Sequence, residues 1–125
     1  MPDLVKKILI VEDDDLISQM YLASLAGAKF EVKLEKDGES GWKAIQTWNP
    51  SLVILDIMLP KLSGLEILDK MKGDPKLRNI STIVMSSLGS DSDKQKALAA
   101  GAKDFWLKSE VNMADFQNMI KKVMQ

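Results

Sequence analysis

The chain has 125 residues, enough for one domain around one core. Lys and Arg number 17 against 18 Asp and Glu, a net charge of −1, so no global basic field invites nucleic acid or an acidic membrane. Hydrophobic residues at 46% and charged residues at 28% describe an ordinary globular chain, which excludes disordered, collagen-like and coiled-coil classes.

Cysteine and histidine are both absent. The first absence removes disulfide scaffolds, thiolate nucleophiles and Cys-based zinc sites. The second removes Ser-His-Asp triads, imidazole bases and histidine metal sites. Any metal must therefore be hard and oxygen-bound. Apolar runs such as Ile8–Val11 and Leu52–Leu55 reach only four residues, too short to span a membrane. Met1 to Lys7 hold no apolar leader, and the expected location is the cytoplasm.

The first predicted strand, Lys7–Val11, precedes a helical pattern over Leu16–Ala26, where Leu16, Ile17, Met20, Tyr21 and Leu25 recur near helical spacing. Phe30–Glu35 alternates apolar and charged residues, as an edge strand does. Glu39–Trp48 follows, with Trp42, Ile45 and Trp48 three apart. Leu52–Leu55 is a continuously apolar strand, as in a parallel sheet covered on both faces. Leu65–Met71 is a helix stopped by Gly73 and Pro75. Thr82–Met85 is the fourth strand, and Asp91–Ala100 a helix closed by Gly101. Asp104–Leu107 is the fifth strand. Ala114–Met124 ends the chain, with Phe116, Met119, Ile120 and Val123 on one face. Five strands alternating with five helices, with no linker or repeat, predict a single doubly wound α/β domain over residues 1–125.

Ligands of such sheets sit beyond the carboxyl ends of the strands. After the first strand stand Glu12, Asp13, Asp14 and Asp15. Their plain reading is a solvated run with one Asp capping a helix, but four adjacent carboxylates repel and a cation would relieve them. After the third strand Asp56 stands inside Leu52-Val53-Ile54-Leu55-Asp56-Ile57-Met58-Leu59. A charge in so apolar a stretch costs several kcal/mol or more unless paired, which outweighs its reading as a turn cap before Pro60. Ser86 and Ser87 follow the fourth strand, and either could make a local turn hydrogen bond. Lys108 follows the fifth, where a lone lysine ordinarily reaches into solvent. Taken together, these groups suit phosphoryl transfer onto a carboxylate. Asp56 would attack phosphorus, Mg²⁺ would bridge carboxylates and phosphate, and Lys108 and Ser86 would neutralise or hydrogen-bond phosphoryl oxygens.

These residues resemble a bacterial two-component response-regulator receiver domain of the stand-alone, chemotaxis-regulator-like type. The motifs are Ile8-Leu9-Ile10-Val11-Glu12-Asp13-Asp14, Asp56-Ile57-Met58-Leu59-Pro60 with Ser63-Gly64-Leu65, Ile83-Val84-Met85-Ser86-Ser87, Gly101-Ala102-Lys103-Asp104-Phe105, and Lys108. The resemblance implies a flavodoxin-like sheet in strand order 2-1-3-4-5. It implies Asp56 as phosphoacceptor, and Mg²⁺, replaceable by Mn²⁺, held by Glu12, Asp13, Asp56 and the Met58 backbone carbonyl. Ser86 becomes the switch hydroxyl, Lys108 the phosphate-neutralising lysine, and Phe105 the aromatic switch, which also reads as a plain core ring. The donor would be a sensor histidine kinase or histidine phosphotransfer protein. Output would pass through the face of the fourth helix, fifth strand and fifth helix to an unidentified protein target, with a phosphorylation-dependent homodimer as one outcome. Such a chain is no turnover enzyme beyond its own phosphorylation and slow dephosphorylation, and touches neither nucleic acid nor membrane.

Two departures stand out. Ser109 replaces the proline usual after the lysine, where a cis bond without proline costs about 3 kcal/mol, so the reach of Lys108 is open. Ser87 replaces the usual alanine. Apolar Met58 and Leu88 flank the route of attacking water and predict slow dephosphorylation. Among competitors, a flavodoxin-like cofactor binder needs a glycine- and hydroxyl-rich loop after the first strand to cradle phosphate, where four acids here would repel it. A haloacid-dehalogenase-type Asp-nucleophile phosphohydrolase fits Asp13-Asp14-Asp15 but generally needs a cap or a longer chain and further downstream acids, which are not expected here. A degenerate receiver that only binds partners must explain why Asp13, Asp56, Ser86 and Lys108 are all present.

Overall fold

The structure, a computed structural model, describes residues 5–124. Residues 1–4, part of the stretch considered for a leader, and Gln125 lie outside the described residues. Strands β1 (Lys6–Val11), β2 (Phe30–Glu35), β3 (Leu52–Asp56), β4 (Ser81–Ser86) and β5 (Asp104–Leu107) form one parallel sheet in the order β2-β1-β3-β4-β5. Helices α1 (Asp15–Leu25), α2 (Gly38–Trp48), α3 (Gly64–Lys72), α4 (Asp91–Ala99) and α5 (Met113–Val123) fill the crossovers and cover both faces. The alternating strand Phe30–Glu35 lies at an edge, as expected, and β1, β3 and β4 are buried along most of their length.

Side chains two apart on a strand share a face, and the two cores follow that rule. Leu9, Val11, Val53, Leu55, Val84 and Phe105 pack against α2, α3 and α4. Ile8, Ile10, Leu52, Ile54, Ile83 and Met85 pack against α1 and α5, where Tyr21 and Phe116 stack with centroids 5.0 Å apart.

Each helix opens on a side chain that accepts a backbone N–H. Asp14 caps Ile17, Asp37 caps Ser40, Ser63 caps Glu66, Ser90 caps Asp93 and Asn112 caps Ala114. In a parallel sheet all five helices start at the same edge, so their dipoles align. Charge follows. First turns carry Asp15, Glu39, Glu66, Asp91, Asp93 and Asp115, and last turns carry Lys70, Lys72, Lys96, Lys121 and Lys122. At the far edge Lys6, Lys72 and Lys103 donate to the helix-end carbonyls of Met124, Ala99 and Val123.

Candidate functional site

The carboxyl edge gathers most of the predicted residues. Asp56 is the last residue of β3 and Ser86 the last of β4, so both belong to the strands rather than following them. Glu12 follows β1 directly, its N–H donating to the Glu35 carbonyl at 3.0 Å. Lys108 opens a short 3₁₀ turn, Lys108–Glu110, immediately after β5.

The Lys108 ammonium lies 2.6 Å from Glu12 Oε1 and 2.8 Å from Asp56 Oδ2. All three are nearly shut off from solvent, so the ion pairs act in a low-dielectric setting. No peptide bond among the described residues is cis, so Lys108 reaches both carboxylates through a trans bond to Ser109. The remaining oxygens are also occupied. Asp56 Oδ1 accepts the Met58 N–H at 3.1 Å, and Glu12 Oε2 accepts the Asp14 N–H at 3.1 Å. Burial raises the Glu12 pKa, and Asp56 adds to it, against the pull of Lys108 and the Asp14 amide. For Lys108 burial acts downward, but hydrogen bonds and charge from Asp56 and Glu12 outweigh it and hold the ammonium above its ordinary pKa.

The four consecutive acids divide their work. Asp14 caps α1 through Ile17 N–H at 3.0 Å, and Asp15 pairs with Lys36 at 2.7 Å on the surface. Glu12 and Asp13 turn to Asp56, and one oxygen from each of the three lies within 4.8 Å of the others. Such an all-oxygen set fits a small hard divalent cation such as Mg²⁺ or Mn²⁺.

Ser86 and Phe105 take other partners here. The Ser86 hydroxyl donates to the Leu88 carbonyl at 2.9 Å and accepts the Leu88 N–H at 3.1 Å, the local turn its position allows. Phe105 is buried and lines a cavity of about 290 Å³ with Trp106, Lys94, Val111 and Met119, between α4 and α5. Met58 and Leu88 are exposed beside the site, at 63% and 57%, and Ser87 is exposed too. Sequence reasoning missed the crowding of Gly38 against the loop after β3 and the positive φ of Lys61 within it. Only the Asp37-Gly38 pair, a cap followed by the smallest residue, hinted at the first.

A parallel sheet in this order is the doubly wound, flavodoxin-like fold, here with three carboxylates and a lysine gathered at its carboxyl edge. Residues 8–121 match the family described as the response regulator receiver domain, and the chain belongs to that family of two-component systems. It is 30% identical over 117 residues, 94% of its length, to the DNA-binding dual master transcriptional regulator RpaA of Synechocystis, of which the match covers 47%. The chain thus spans about half or less of the length of the curated relatives it matches. Among solved structures it is similar to a CheY-like receiver domain protein from Methanospirillum hungatei, with a TM-score of 0.86, 30% identity and coverage of 97% and 94% of the two chains. It is also similar to the Mn²⁺-bound form of response regulator Rcp1, at a TM-score of 0.79, 26% identity and coverage of 94% and 91%. No helix among the described residues is long and apolar enough to cross a membrane.

Proposed function

We propose that this receiver domain, spanning residues 1–125, is a cytoplasmic phosphoacceptor switch that takes a phosphoryl group on Asp56 from a phosphohistidine of a sensor kinase or phosphotransfer protein. The observation that carries this reading is the buried Asp56 carboxylate, 2.8 Å from the Lys108 ammonium and grouped with Glu12 and Asp13. An Asp56 oxygen forms the new O–P bond as the donor's P–N bond breaks, and the imidazole nitrogen keeps the electron pair. Glu12, Asp13, Asp56 and the Met58 carbonyl would hold Mg²⁺, or Mn²⁺ as in the Rcp1 structure, and that ion supplies positive charge for phosphoryl oxygens. Lys108 neutralises a further oxygen from its present position.

The Ser86 hydroxyl then exchanges its Leu88 partners for the phosphoryl group. Phe105 follows on the neighbouring strand, and the equilibrium shifts at the α4–β5–α5 face, which offers a protein target or a second copy its binding surface. Incubation with acetyl phosphate and Mg²⁺ should add one phosphoryl mass to the intact protein and none to Asp56→Asn. Ester turnover without an adduct would favour the hydrolase, and inertness the degenerate receiver. Met58 and Leu88 offer attacking water no polar group, so the aspartyl phosphate should decay slowly. Decay should accelerate in Met58→Asn, and an unchanged rate there would remove these side chains from the explanation.

A further inference from the structure

We infer that Gly38, at the start of α2, is a positioning residue for the loop that follows Asp56, an inference that rests on the phosphoacceptor reading above. Residues 57–63 leave β3 and return to α3 as a closed loop. At its neck Gly64 N–H donates to the Ile57 carbonyl at 2.9 Å, and a Cβ on Gly64 would lie 2.3 Å from the Asp56 carbonyl oxygen. At its tip the Pro60 carbonyl accepts two N–H groups, Leu62 at 2.8 Å and Gly38 at 3.0 Å. The Leu62 bond spans three residues with Lys61 at φ +71° in the middle, a γ-turn of the rarer, strained kind.

Such a turn persists only when its surroundings over-determine it, and Gly38 supplies the surroundings. An ideal Cβ there would lie 1.7 Å from the Leu62 carbonyl oxygen and 2.5 Å from its carbon. Both are backbone atoms, which cannot swing aside as a flexible side chain can. Gly38 itself is not in the left-handed region, so space rather than conformation demands glycine. Asp37 adds a second tie, with Oδ1 holding Ser40 N–H at 2.8 Å and Oδ2 3.9 Å from Lys61 Nζ.

The loop's placement reaches the reacting group directly. Met58 N–H donates to Asp56 Oδ1, so pushing the tip outward turns the carboxylate that the site must hold still. A misplacement of about 1 Å at a reacting centre is costly, up to about 100-fold in rate.

Mn²⁺ affinity, read from the electron paramagnetic resonance of the free ion, tests this in wild type, Gly38→Ala, Lys61→Val and Lys61→Gly, with urea unfolding beside it. Gly38→Ala should unfold cooperatively and bind Mn²⁺ about 10- to 100-fold more weakly, the scale of lost outer-shell support. Lys61→Val, whose branched side chain resists positive φ, should shift affinity the same way, whereas Lys61→Gly should keep it. Wild-type affinity in a less stable Gly38→Ala overturns the inference and leaves the site reading intact. If Gly38→Ala does not fold, wild-type affinity in Lys61→Val overturns it equally. A wild type that binds no Mn²⁺ sinks the site reading and this inference together.

Discussion

Glu12 and Asp56 are two buried carboxylates held tolerable by one ammonium. Removing one partner of a buried ion pair leaves uncompensated charge, and Lys108→Met strands two such groups at once. Its unfolding free energy in metal-free buffer should fall by about 3–5 kcal/mol, measured by urea titration. The pH dependence has a definite sign. The Lys108 pKa is raised in the fold above its unfolded value of 10.5, so its stabilisation is complete below that pH and is lost as pH climbs through the folded value. That alkaline loss should vanish in Lys108→Met. At this scale the sequence was a partial guide. Asp56 was legible as a charge inside a continuously apolar stretch, whereas Lys108 stood out only jointly with the groups at the other strand ends. The sorting of Glu12 through Asp15 was not legible from spacing, because four adjacent acids look alike; the resemblance picked out Glu12 and Asp13, and the fold puts Asp14 on a helix end and Asp13 near Asp56.

Among the helices, α4 is held most lightly. Ala97 is its one buried residue, while α3 buries Ile67, Leu68 and Met71 and α5 buries Phe116 and Ile120. Segments with few buried contacts open first. Backbone amides of α4 should therefore exchange with deuterium faster than those of α1 or α5 in the unphosphorylated protein. Equal protection would remove α4 as the mobile element. Losing the Ser90 cap in Ser90→Ala, worth about 1 kcal/mol, should widen the difference. The elements themselves were readable from apolar runs and helical spacing, which placed every helix start within one residue of its position in the structure. The 3₁₀ turn at Lys108 and the contact of Gly38 with Leu62 were not. The second joins backbone atoms of segments distant in the chain, and neither composition nor periodicity encodes such an approach.

Across the molecule, parallel strands place every helix start, and nearly every first-turn acid, on the edge that holds Asp56, while lysines gather at the helix ends opposite. A net charge of −1 conceals this separation. Small anionic donors meet a repelling edge, so labelling by acetyl phosphate at saturating Mg²⁺ should quicken about twofold or more between low and physiological salt as screening sets in. A rate indifferent to salt would mean that bound cations already neutralise the edge. A donor protein with a basic rim would meet the opposite situation. Within a screening length of about 8–10 Å such a rim would attract the acid-lined edge and turn it, like a compass needle, toward the donor before any atoms touch. The backbone that builds the sheet would thereby also set the angle of approach.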